Sequence, residues 1–200
     1  KAYRDLAIAF SYAGQLERAE QFATLSLKYP GVDPTQVNGP GKKVLGDVRT
    51  RQKRYDAAIA LYDQARTESS DRFRPLVDAS LANALILSGD LTRARSTLDA
   101  LALPSDPSQQ AQLQRTRGRL LLAENKPAEA LALYQQLASA PVSGDEGFYR
   151  AWALDGISKS ESALGNEAQA AQALDQAIDV FDKARAKFRS DEFKMGLFSD

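Results

Sequence analysis

Leu45-Gly46-Asp47-Val48-Arg49-Thr50-Arg51-Gln52-Lys53-Arg54-Tyr55-Asp56-Ala57-Ala58-Ile59-Ala60-Leu61-Tyr62-Asp63-Gln64-Ala65 is the stretch whose reading decides the fold. A helix is expected to end in the polar turn Gln52-Lys53-Arg54-Tyr55 and a second to begin there. Ala58 and Tyr62 then stand one turn apart on one face of the second helix. The same frame recurs around Ala13-Gly14-Gln15-Leu16, Ser88-Gly89-Asp90-Leu91, Glu124-Asn125-Lys126-Pro127 and Leu164-Gly165-Asn166-Glu167. Each turn is followed by an alanine (Ala19, Ala58, Ala94, Ala130, Ala170), then one turn later by an apolar residue (Ala23, Tyr62, Leu98, Tyr134, Leu174). Equivalent turn positions 14, 53, 89, 125 and 165 are spaced by 39, 36, 36 and 40 residues. A fixed period of this length is the mark of stacked supersecondary units.

The frame resembles the tetratricopeptide repeat, most clearly in Leu45, Gly46, Tyr55, Ala58, Ile59, Tyr62 and Ala65, and covers roughly residues 1–180. The family's small first-helix residue stands as Ala7, Gly46, Ala82, Gly118 and Ser158. Its first-helix Trp is replaced by Tyr3, Lys42, Asp78, Gln114 and Leu154. The resemblance implies an all-α fold: a right-handed alpha-alpha superhelix, a solenoid of about five helix-turn-helix repeats plus a C-terminal extended helix. The expected organisation is a repeat array over 1–180 and a capping helix or connector over 181–200 that can lead into a downstream domain.

Punctuation places the helices independently. Pro107 and Pro127 suit first helical positions, while Gly14, Gly89 and Gly165 suit the left-handed residue that ends a helix. Helices are expected near 2–13, 16–29, 42–52, 55–69, 72–88, 91–102, 107–124, 127–139, 146–164 and 167–190. The Gly and Pro residues between Pro30 and Gly41 predict the longest loop.

Composition narrows the function classes. Of 200 residues 44% are hydrophobic, enough for a core, and 26 basic residues balance 26 acidic ones, so no global field draws the chain to nucleic acid or anionic membrane. With neither Cys nor His there is no disulfide, no thiolate or imidazole catalyst and no zinc site built on them. No catalytic set, metal or cofactor is expected, and the chain is not expected to be an enzyme. No apolar run is long enough to span a bilayer. The opening Lys1-Ala2-Tyr3-Arg4 already reads as amphipathic helix, as in a piece of a longer, bacterial protein, with cytoplasm and periplasm both open.

In tetratricopeptide proteins the first helices line a concave groove. Carrying the inward positions over gives Arg4, Ile8 and Tyr12; Lys43, Asp47 and Arg51; Ala79, Asn83 and Leu87; Arg115 and Arg119; and Asp155 and Lys159. This mostly basic surface with two acidic points fits an extended acidic peptide or protein partner. The family's clamp for a terminal carboxylate is incomplete, because Asp47, Ser80, Gln112 and Thr116 stand where amide or cationic groups are needed. Nucleic acid is the less favoured partner: Lys42, Lys43, Arg49, Arg51, Lys53 and Arg54 form a basic run over 42–54, but no aromatic residues interleave with it. Gly39-Pro40-Gly41-Lys42-Lys43 lacks the spacing of a phosphate loop. Trp152, with Phe148 and Tyr149, is expected to pack between adjacent repeats.

Beyond the last repeat, Ile178, Phe181, Ala184 and Phe188 prolong the helical spacing into Arg189-Ser190-Asp191-Glu192-Phe193 and the residues up to Asp200. This tail resembles the connector that joins tetratricopeptide repeats to a CHAT domain, a caspase-like cysteine peptidase. The resemblance implies that the repeats recognise partners of, or restrain, a peptidase lying beyond residue 200.

Overall fold

The computed structural model describes residues 2–29, 34–139 and 146–197. Ten helices and no strand are present among them: α1 (Ala2–Tyr12), α2 (Leu16–Lys28), α3 (Pro34–Arg51), α4 (Tyr55–Thr67), α5 (Arg74–Ser88), α6 (Leu91–Asp99), α7 (Pro107–Ala123), α8 (Pro127–Ser139), α9 (Glu146–Ala163) and α10 (Glu167–Leu197). They form two compact units, Lys1–Ala102 and Leu103–Asp200. In the first, each helix packs on its neighbours in sequence, and α3 also touches α1 and α5. In the second, α7 through α10 pack in the same way, and α9 also touches α7.

The five equivalent turns share one backbone device. Gly14, Lys53, Gly89, Asn125 and Gly165 all have positive φ, between 58° and 93°. At each, the next amide turns back to a carbonyl in the last helical turn, as Arg54 N–H does to Arg49 C=O at 2.9 Å and Lys126 N–H to Leu121 C=O at 2.9 Å. The left-handed conformation costs an ordinary L residue about 1–2 kcal/mol. Lys53→Gly is therefore expected to raise stability by about 1 kcal/mol in urea unfolding. Asn125→Gly should gain less, because Asn tolerates this conformation better.

Helix starts follow the expected chemistry. The Asp90 carboxylate accepts from Arg93 N–H at 3.1 Å, and that of Asp106 from Gln109 N–H at 2.9 Å ahead of Pro107.

One expected boundary is corrected. Residues 34–41, expected to belong to the longest loop, are the start of α3, and Pro40 lies inside the helix. Residues 30–33 of that loop lie outside the described residues. The glycines are there for close approach: a Cβ on Gly39 would lie 2.3 Å from Ser69 Oγ, and one on Gly41 2.7 Å from Leu27 Cδ2. The former brings α3 against the end of α4, the latter against α2.

Alanine and glycine line the cores because helix pairs must approach closely. In the first unit Ala7, Ala23, Val44 and Leu45 pack with Phe22, Leu27 and Leu61. In the second Ala111, Ala130, Tyr134, Leu137 and Ala153 pack with Leu121, Leu122, Tyr149 and Ile157. Lys42 and Asp78, at two of the replaced Trp positions, meet the C-terminal end of α4 with opposite charges. Lys42 pairs with Glu68, and Asp78 with Arg66 at 2.8 Å, an ion pair off the axis of a hydrogen bond. Burial nonetheless holds the Asp78 carboxyl above its usual range, against the opposing pull of Arg66 and Arg74.

Candidate functional site

The expected groove residues fall into two sets, one in each unit. In the first, α1, α3 and α5 carry Arg4, Tyr12, Lys43, Asp47, Arg51 and Asn83. Their charges are largely engaged within the unit. Lys43 Nζ meets Asp47 Oδ2 at 2.8 Å, and the Tyr62 hydroxyl donates to Asp47 Oδ1 at 2.8 Å. Burial, then the neighbouring Asp47 charge, pushes the Tyr62 phenol well above its ordinary range. The Arg51 guanidinium lies over the Tyr12 ring at 4.7 Å. Ile8 and Leu87 are exposed, Arg4 and Asn83 are half-buried, and Ala79 is buried in the helix packing rather than presented to a ligand.

In the second unit α7 carries Arg115 and Arg119, and α9 carries Asp155 and Lys159. All four surround one side chain, Tyr134 of α8, or one another. The Tyr134 hydroxyl donates to Arg115 C=O at 3.2 Å. Burial pushes this phenol up to about 12, and the charges of Arg119, Arg115 and Asp155 all act on it. Lys159 Nζ pairs with Asp155 Oδ2 at 2.6 Å, one helical turn away. The Arg115 guanidinium stacks on the Trp152 ring at 4.2 Å, and Tyr149 meets Trp152 edge-on at 5.3 Å. Trp152 thus packs between the first helices of two repeats, as expected, and also braces a cation. Phe148 instead turns to α10, where it meets Phe181 at 5.5 Å.

Tyr134 itself was legible only as a repeat position. It fits between two helices because both present glycine: a Cβ on Gly118 or on Gly156 would lie 2.4 Å from its ring. Gly118 stands at the family's small position, whereas Gly156 lies two residues before the expected Ser158. A signal was available, since Ser80 and Thr116 occupy the same place two residues before Ala82 and Gly118, and both are buried. Burial also explains why Ser80 and Thr116 contribute nothing to a carboxylate clamp.

The basic run over 42–54 is not an open cationic surface. Lys42 and Lys43 are paired as described, Arg49 binds Glu20 at 2.6 Å, Arg54 approaches the same carboxylate at 4.0 Å, and Arg51 stacks on Tyr12. Gly39 through Lys43 lie within a helix, so they make no phosphate loop. No cluster of three or more metal-ligating side chains occurs among the described residues, and none of their helices is long and apolar enough to cross a membrane. Of the tail, α10 runs unbroken to Leu197. The side chains of 187–197 and residues 198–200, which carry the connector resemblance, lie outside the described residues.

A family model, tetratricopeptide repeat, matches residues 49–120. The chain carries tetratricopeptide repeats. Its α-solenoid class agrees with solved structures of similar fold. A candidate kinesin light chain from Podosopora anserina with nearly identical TPR-like repeats aligns at TM-score 0.60 and 16% identity, covering 91% of this chain and 94% of that one. BtubC (BKLC) from P. vanneervenii aligns at 0.62 and 16%, covering 92% and 78%. YrrB, a TPR protein with an unusual peptide-binding site, aligns at 0.50 and 19%, covering 95% and 90%. No curated protein matches the chain. At these identities the tetratricopeptide likeness fixes the fold and leaves partners to be argued from the residues.

Proposed function

We propose that this chain is a non-enzymatic protein-interaction scaffold that takes an extended acidic peptide on the α7/α9 face of its second unit. The observation that carries this is the grouping of Arg115, Arg119 and Lys159 against a single carboxylate, Asp155, on two adjacent first helices. That excess of positive charge suits Asp and Glu side chains, and Arg115 is held on Trp152, so little rotamer freedom is lost when it binds. The corresponding charges of the first unit are more nearly balanced, with Lys43 on Asp47. YrrB's description as a TPR protein with a peptide-binding site is in keeping with this use of the fold.

The test is fluorescence anisotropy with a synthetic Asp/Glu-rich peptide. Arg115→Glu with Arg119→Glu is expected to weaken binding at least about tenfold, a loss of about 1.4 kcal/mol or more. Added salt should weaken the wild-type complex. Arg72→Glu, an exposed change outside the site, is the charge control. Equal affinity for the double variant and the wild type, with helical content intact, removes the site.

A further inference from the structure

The internal junctions between repeats follow a rule that the two ends of the described chain leave open. Where one repeat meets the next inside a unit, fixed positions of the first repeat's second helix meet fixed positions of the following first helix. Leu27 meets Gly41, Glu20 pairs with Arg49, Arg66 pairs with Asp78, and Tyr134 covers Gly156. Within α3, α5 and α9 the receiving face is closed: Gly41, Val77 and Ala153 are buried, as are Val44, Ser80 and Gly156. On the giving face, Ala23, Tyr62 and Tyr134 are buried.

At α1 the equivalent receiving residues are Ala2, Asp5 and Leu6, all exposed, Leu6 at 41%. At α10 the residue equivalent to Tyr62 and Tyr134 is Leu174, 45% exposed, and the residue equivalent to Arg66 is Ile178, 54% exposed. Large aliphatic side chains this open, one turn apart on one helix, mark a contact surface when a matching surface exists.

The match is supplied by the same chain. Transferring the internal pairings to the two ends sets Ile178 against Ala2 and Tyr3, where Arg66 meets Asp78, and Ala171 against Phe10, where Glu20 meets Arg49. Two ion-pair positions thus become apolar pairs on both sides at once. Tyr3 and Phe10 are already aligned for this by stacking on Phe22 of α2, at 6.3 and 5.2 Å. We propose that the open face of α10 takes the open face of α1 from a second copy, repeating between molecules the junction made between repeats. Such a head-to-tail contact is heterologous, with different surfaces on its two sides. One position opposes it: Asp5 faces Leu174 where Ser80 faces Tyr62. Covering that carboxylate weakens the contact and keeps it reversible.

The experiment is sedimentation equilibrium on the full chain over a wide concentration range. The wild type is expected to show a mass that rises with concentration. Leu6→Asp and Ile178→Asp are each expected to be monomeric alone, with helical content unchanged because both side chains lie at the surface. Mixed, they should form a one-to-one dimer, since each retains the face that the other has lost. Asp5→Ala should shift the wild-type curve to lower concentration by about tenfold or more. A wild type that stays monomeric overturns the proposal, as does self-association by Leu6→Asp alone or failure of the two variants to pair.

Discussion

Tyr134→Ala is expected to destabilise the second unit by about 3–5 kcal/mol, the range for deleting a buried aromatic ring. Tyr134 is 2% exposed and belongs to the cluster that joins α7, α8 and α9. The surroundings cannot collapse into the space it leaves, because two of its walls are helix backbone at Gly118 and Gly156. Tyr134→Phe separates the ring from the hydroxyl. It removes only the hydrogen bond to Arg115 C=O and is expected to cost about 0.5–1.5 kcal/mol. Urea unfolding followed by circular dichroism checks both. Nearly equal losses for the two variants would mean that the hydroxyl, rather than the ring, holds the unit together.

The parts of this fold that were legible in sequence are those fixed by local chemistry. The turn at 14, 53, 89, 125 and 165 could be aligned because every helix must end where the next begins, and the backbone solves this in one conformation each time. The alanines one turn ahead of Tyr62 and Tyr134 were legible for the same reason, as both positions serve a single helix face. Two other features were not legible, because they depend on what lies across the interface. Gly39, Pro40 and Gly41 carry the residue types of a loop, yet they sit in α3, where missing side chains admit Ser69 and Leu27. Lys42 and Asp78 stand where the tetratricopeptide family places a bulky ring, and only the structure shows their charges answered by Glu68 and Arg66. The site followed the same division. Carrying groove positions over found Arg115, Arg119, Asp155 and Lys159. The side chain that gathers the first three, Tyr134, comes from a second helix that the groove positions never included.

Gly156→Ala gives the sharper result, because its sign should depend on its neighbour. In the wild type the added Cβ would lie 2.4 Å from the Tyr134 ring, and the ring cannot retreat because Gly118 on α7 holds its other side at the same distance. Overpacking of this kind costs about 1–3 kcal/mol, and intrinsic helix propensity returns about 1 kcal/mol for replacing glycine within α9. The net expectation is a loss of up to about 2 kcal/mol. In a Tyr134→Ala background the obstacle is gone while the propensity gain remains, so Gly156→Ala should then stabilise by about 1 kcal/mol. The double-mutant cycle isolates the contact between the two residues, and a coupling energy of about 1–3 kcal/mol is expected. Additive effects would show that α9 can slide away from α8. The glycine would then owe its place to something other than the ring it faces.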